Sequence, residues 1–90
     1  MSYALRIAPD AFADLREIDP WLQEDALDAI EKAASAPGEL RTDEMGQAIV
    51  DFDRRVSDQL HIVFVRLHVD QVRGVISVMG IRDVRPRGRK

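Results

Sequence analysis

Arg54-Arg-Val-Ser-Asp-Gln-Leu-His-Ile-Val-Phe-Val-Arg-Leu-His-Val-Asp-Gln-Val-Arg-Gly-Val-Ile-Ser-Val-Met-Gly-Ile-Arg-Asp-Val-Arg85 is the stretch on which the fold turns. It holds two β-branched runs joined by a short polar turn, and the second run ends on arginines. That reads as a hairpin with a basic rim. Alternation along Gln59 to His68 places Leu60, Ile62 and Phe64 on one face and His61, Val63, Val65 and Leu67 on the other. Both faces are largely apolar, so the run is expected to be a central strand.

The same stretch divides the chain electrically. Residues 1 to 53 carry four basic and thirteen acidic side chains, a net of −9, and residues 54 to 90 carry nine basic and three acidic, a net of +6. The overall charge of −3 therefore conceals a strongly polarised molecule. A basic segment built on strands attracts phosphate or an acidic partner, whereas an acidic helical face is ordinarily solvated surface.

Outward from the hairpin, Gln47 to Arg55 alternates as well, with Ala48, Val50 and Phe52 against Asp51, Asp53 and Arg55. This predicts a strand with one polar face, joined through Val56-Ser57-Asp58 to the central strand. Val75 to Ile81 is the last strand. Towards the start of the chain, Tyr3 to Ala8 is a short β-compatible run stopped by Pro9-Asp10, and Asp10 is expected to cap a first helix. Phe12, Leu15 and Ile18 recur there at helical spacing. Asp19-Pro20 restarts a second helix, whose apolar stripe is Leu22, Ala26, Ile30 and Ala33, with Leu27 and Ala29 beside it. Pro37-Gly38 ends that helix, and residues 39 to 46 form a polar connector.

The expected order is β-α-α-β-β-β, an α+β fold with a helical hairpin packed on one face of a small antiparallel sheet. One domain over residues 1–81 is predicted, with a basic tail over residues 82–90, where proline, glycine and like charges oppose regular structure. Ninety residues give room for a single core, burying roughly 60 to 65% of the unfolded chain's surface. The expected packing sets Leu60, Ile62 and Phe64 against Leu22, Leu27 and Ile30.

The chain has no cysteine, which excludes disulfides, thiolate zinc sites and cysteine nucleophiles. His61 and His68 lie seven apart on one strand, on opposite faces, so a metal site is not expected, nor is a cofactor. No window approaches the length of a membrane helix, and the first residues lack the pattern of a secretory leader. A cytoplasmic protein without a membrane partner is expected.

The element order, the segment Arg55-Val-Ser-Asp-Gln-Leu-His-Ile-Val-Phe64 and the ending Val78-Met-Gly-Ile-Arg-Asp-Val84 resemble the RelE/ParE toxin superfamily of bacterial type II toxin–antitoxin systems. In that family the third strand typically opens with a pattern like Arg-Val-Gly-Asp-Tyr-Arg-Ile-Val-Tyr, and the fourth ends in Gly-His-Arg or a near variant. Arg82 is the clearest family position present, and His61 is taken to stand where the family has its strand-three arginine. Asp51 and Asp53 replace the lysines that messenger-cleaving members often carry on the second strand. No tyrosine or histidine follows Arg82.

The resemblance implies a toxin that acts on ribosome-associated mRNA, inhibiting translation as an mRNA interferase. Family ribonucleases direct a ribose 2′-hydroxyl at the adjacent phosphate, which requires a proton acceptor, a proton donor and cations on the developing charge. His61, Arg82 and Arg85 are the catalytic candidates on this reading, and Arg54, Arg55 and Arg87 the RNA or phosphate contacts. The implied partner is a cognate acidic antitoxin, seated on the uncovered strand face of Val63, Val65 and Leu67. Ribosome and mRNA, or DNA gyrase, would be the cellular target. The alternative is a ParE-like gyrase inhibitor, or an inactive relative serving only as a protein-binding module.

Overall fold

The computed structural model describes residues 3–86. The elements follow the expected order: β1 (Ala4–Ile7), α1 (Pro9–Glu17), α2 (Pro20–Ser35), β2 (Gln47–Val56), β3 (Gln59–Asp70) and β4 (Val75–Val84), with a 3-10 turn over Pro37–Glu39. Each helix begins on proline, whose missing N–H is no loss in the first turn. At α2 the neighbouring Asp19 caps as expected, its carboxylate accepting from the Trp21 amide at 2.9 Å. At α1 the helix starts two residues earlier than expected. Ala8 is the cap residue, without a side-chain hydrogen bond, and Asp10 lies in the first turn, where its charge favours the helix dipole.

The four strands lie in the order β1-β4-β3-β2, so β3 is central, as its two apolar faces predicted. β2 with β3 and β3 with β4 are antiparallel hairpins, but β1 runs parallel to β4. The sheet is therefore mixed rather than wholly antiparallel. No short loop links β1 to β4, and a connection that passes through two helices and two strands leaves either direction open. β1 stops opposite Val78, which leaves the rest of β4 as an edge. Asp14 of α1 covers part of that edge, its carboxylate accepting from the Ile81 amide at 3.1 Å.

Both helices pack on one face of the sheet. The core joins Ala11 and Leu15 of α1 and Leu22, Ala26, Ile30, Ala33 and Ala34 of α2 to Ala48, Val63, Val65, Leu67, Val69, Ile76, Val78 and Ile81 of the strands. The expected packing is thus inverted. Val63, Val65 and Leu67 are fully buried beneath the helices, while Leu60, Ile62 and Phe64 occupy the opposite face. Leu27 points away from the core, half exposed.

The reason lies further along β3. One frame reads Val63, Val65, Leu67 and Val69, four aliphatic residues in succession, whereas the other runs from Phe64 into Arg66, His68 and Asp70. A helix layer can cover the first frame without desolvating a charge, and it cannot cover the second. Val63, Val65 and Leu67 consequently have no surface to offer an antitoxin.

β4 continues to Val84, three residues into the segment expected as a tail, because Ile62, Val63 and Phe64 supply it with partners opposite Val84, Asp83 and Arg82. The strand also carries a bulge. Arg66 pairs with Gly80 and Leu67 with Val78, so Met79 is an extra residue without a partner.

Candidate functional site on the open sheet face

The face away from the helices is built in rows across three strands. One row is Asp51 of β2, Phe64 of β3 and Arg82 of β4, and the adjoining rows are Ile49-Arg66-Gly80 and Asp53-Ile62-Val84. Side chains in one row stand on the same side of the pleat, roughly 4.8 Å apart between neighbouring strands. A concavity of about 530 Å³ lies here, lined by Ile49, Phe64, Arg66, Gly80, Arg82 and Val84, with Asp14 and Ile81 at its rim. Two guanidiniums above a floor of phenyl and aliphatic groups make it amphipathic.

Arg66 belongs to this site and was not among the residues singled out from the sequence. Its guanidinium lies across Gly80, and a methyl group there would stand 3.0 Å from Arg66 Nη2 and 3.6 Å from Cζ. The absence of a side chain at Gly80 is what lets Arg66 lie down on β4. The sequence did hold a signal, since a charged residue within a β-branched run marks its frame as the wet one. Among the described residues, neither Arg66 nor Arg82 takes part in an ion pair. Both cations are therefore available to an outside anion.

His61 is elsewhere. It lies on the helix-covered side, 6% exposed, with Nδ1 3.0 and 3.1 Å from the two carboxylate oxygens of Asp83. Asp83 pairs with Val63 and Arg82 with Phe64, so His61 and Arg82 project from opposite faces of the sheet. They cannot meet on one substrate, so the expected catalytic pairing of His61 with Arg82 does not form. The register of the resembling pattern accounts for the difference. When its Gly-Asp turn is laid on Ser57-Asp58, the strand-three arginine falls on Leu60, which is on the open face, and His61 falls on an apolar position that faces the core.

The remaining candidates separate in the same way. Arg54 lies on the helix side, where its Nη1 is 2.7 Å from Asp25 Oδ2 and its guanidinium sits 5.9 Å from the centre of the Trp21 ring. The hydrogen bond and charge of Asp25 hold the Arg54 proton more tightly still than usual. Arg54 is thus a clamp between β2 and α2 rather than a free phosphate contact. Arg55 shares the open face with Asp51 and Asp53, next to Leu60. Arg85 is exposed just beyond β4, and Arg87 lies outside the described residues. Trp21 and Phe12 are both more than half exposed on the helices and are not part of the lining of this concavity.

No histidine, cysteine, aspartate and glutamate cluster suited to a metal ion occurs among the described residues. No helix among them is long and apolar enough to cross a membrane.

No protein-family model matches the sequence, and no curated protein resembles it significantly. Solved structures do resemble it. A double arginine-to-alanine mutant of the Escherichia coli toxin RelE, in the free state, superposes with a TM-score of 0.72 at 15% identity, covering 90% of this chain and 82% of that one. The RelBE2 toxin-antitoxin complex of Mycobacterium tuberculosis contains a chain that superposes with a TM-score of 0.68 at 13% identity, covering 93% of both chains. The two helices laid on one face of a four-stranded sheet, in the order β-α-α-β-β-β, are the RelE-like α+β fold.

Proposed function

We propose that this chain is the toxin half of a toxin–antitoxin pair, and that it acts in the cytoplasm through the open sheet face, where Arg82 contacts a phosphate of ribosome-associated mRNA. The observation that carries the reading is the likeness of nearly the whole chain to RelE, a toxin, and to a chain of a toxin-antitoxin complex. Support comes from the exposed Arg82 in the lining of the amphipathic concavity. A guanidinium fixed on a strand stabilises the charge that develops on phosphorus when a neighbouring hydroxyl attacks. The antitoxin would have to cover exposed surface, which leaves out Val63, Val65 and Leu67.

The test is inducible expression of the chain alone in bacteria, with primer extension on messenger RNA from the arrested cells. Growth arrest with new messenger ends is expected, and Arg82→Ala should abolish both while leaving the circular dichroism spectrum unchanged. Absence of arrest overturns the reading. The enclosure of His61 with Asp83 favours a second reading, because it removes the one imidazole proposed for proton transfer. On that reading the protein inhibits by binding, without cutting. Arrest with intact messenger and blocked gyrase supercoiling would select it.

A further inference from the structure

We infer that Arg66 and Arg82 together form a clamp for a single phosphodiester, that Gly80 is the seat on which Arg66 rests, and that Asp51 and Asp53 confine the nucleic acid strand to the β4 side of the face. The clamp rests on the proposed action of the open face on RNA and adds residues to it.

Three independent features of the fold converge on the clamp. The bulge at Met79 brings Gly80 opposite Arg66, whereas an unbroken ladder carried on from the pairing of Leu67 with Val78 would place Met79 there. A methyl at that point would stand 3.0 Å from Nη2 and oblige the guanidinium to give way by a few tenths of an ångström, and a larger side chain would displace it further. Both arginines line the same concavity, and among the described residues neither is neutralised by a carboxylate. Two planar cations lining one concavity from adjoining rows match the several oxygens of one phosphate better than a lone ammonium would.

The limit to one phosphate follows from β2. Asp51 stands in the same row as Arg82, across Phe64, and Asp53 is in the next row. A second phosphate displaced towards β2 would meet carboxylates instead of guanidiniums, a repulsion that grows as water is excluded. On the β4 side the concavity is lined by one carboxylate, Asp14, which is engaged by the Ile81 amide at 3.1 Å, so a strand continuing along β4 towards Arg85 meets less repulsion than one displaced towards β2. Phe64 lies between the two charges and offers its ring to the base that accompanies the bound phosphate.

The experiment measures binding of a short single-stranded RNA, a hexanucleotide, by the full chain over a series of salt concentrations. Arg66→Ala and Arg82→Ala should each weaken binding, and the double variant should flatten the log–log salt slope by about 0.7 in all, the value for one phosphate contact to a single strand. Gly80→Val, whose branched side chain so small a shift cannot clear, should weaken binding in the wild-type background and have little further effect in Arg66→Ala, because both changes disturb the same contact. Asp51→Asn should tighten binding. If Arg66→Ala leaves affinity and slope unchanged while Arg82→Ala lowers both, the clamp is overturned and the RNA reading survives. A second probe separates the two claims in the opposite case. If the hexanucleotide does not bind, but inorganic phosphate shifts the Nε–H resonances of Arg66 and Arg82 together, the clamp stands and the RNA reading fails. Movement of Arg82 alone overturns the clamp.

Discussion

The two faces of β3 are made of similar amino acids and have opposite fates. One face, Val63, Val65, Leu67 and Val69, lies beneath the helices; the other, Leu60, Ile62, Phe64 and Arg66, is open, and its Phe64 and Arg66 line the concavity. Leucine, isoleucine and phenylalanine are no less apolar than valine, so hydrophobicity summed over a few positions does not separate them. What separates them is the cost of the least favourable residue in each frame. Covering the even-numbered frame would bury Arg66 without a partner and take the Asp70 carboxylate out of water, and burying an unpaired charge costs more than several methyl groups return. A sheet face is chosen by the residue it cannot afford to bury, and the rejected face keeps enough apolar surface to bind a ligand.

The largest expected effect tests that contrast directly. Leu67→Ala removes a fully buried side chain and should lower the free energy of unfolding by about 2 to 5 kcal/mol. Phe64→Ala removes a larger side chain from the open face, where it is only half-buried, and should cost about 1 kcal/mol. Urea denaturation followed by circular dichroism measures both. A Phe64→Ala penalty equal to that of Leu67→Ala would show that the open face is a second core and would remove the argument for a binding surface there.

The next effect separates structure from function across the same sheet. His61→Ala leaves the Asp83 carboxylate without its partner in a largely enclosed place and should cost about 1 to 3 kcal/mol. Its influence on growth arrest should amount to no more than that loss of stability. Arg82→Ala should do the reverse, changing stability by less than about 0.5 kcal/mol because the side chain is exposed and unpaired. Its loss of growth arrest should be complete. Measuring midpoint denaturant concentration and arrest for both variants gives a crossed pattern, and a His61→Ala variant that is fully stable yet inactive would return His61 to the active site.

Much of this arrangement was legible before the fold was known, and its parts became legible for different reasons. Element order followed from local signals: Asp19-Pro20, Pro37-Gly38, the Val56-Ser57-Asp58 turn and the two β-branched runs each act over a few residues. The central position of β3 followed from its two apolar faces. The choice of face was also present, but only over a window that includes Arg66, His68, Val69 and Asp70 together; Leu60, Ile62 and Phe64 taken alone point the wrong way. Two features lie beyond local reading. The parallel pairing of β1 with β4 joins segments about seventy residues apart. The contact of His61 with Asp83, like the seat of Arg66 on Gly80, depends on cross-strand register and on a bulge that no residue between Val78 and Gly80 announces.

The smallest expected effect concerns the turn that sets the parity of both faces. Ser57 and Asp58 alone join β2 to β3, and such a tight loop fixes the pairing of Val56 with Gln59 and, through it, the side of the sheet on which every later residue falls. Ser57 has φ 50, the left-handed region, at the position where the resembling pattern has glycine. An L-residue there carries a cost of about 1 to 2 kcal/mol, which glycine avoids. Glycine also loses more backbone entropy on folding, about 0.5 to 1 kcal/mol, so Ser57→Gly should stabilise the protein by only about 0.5 kcal/mol. Asparagine tolerates this conformation without that entropy loss, and Ser57→Asn should match or exceed it. Ser57→Val adds a β-branch where none fits and should destabilise by about 1 kcal/mol or more. Denaturation midpoints should therefore rank asparagine and glycine above serine, and serine above valine. A neutral Ser57→Val would mean that the turn relaxes out of the left-handed region, and the register that holds Arg66 and Arg82 on one face would lose its anchor.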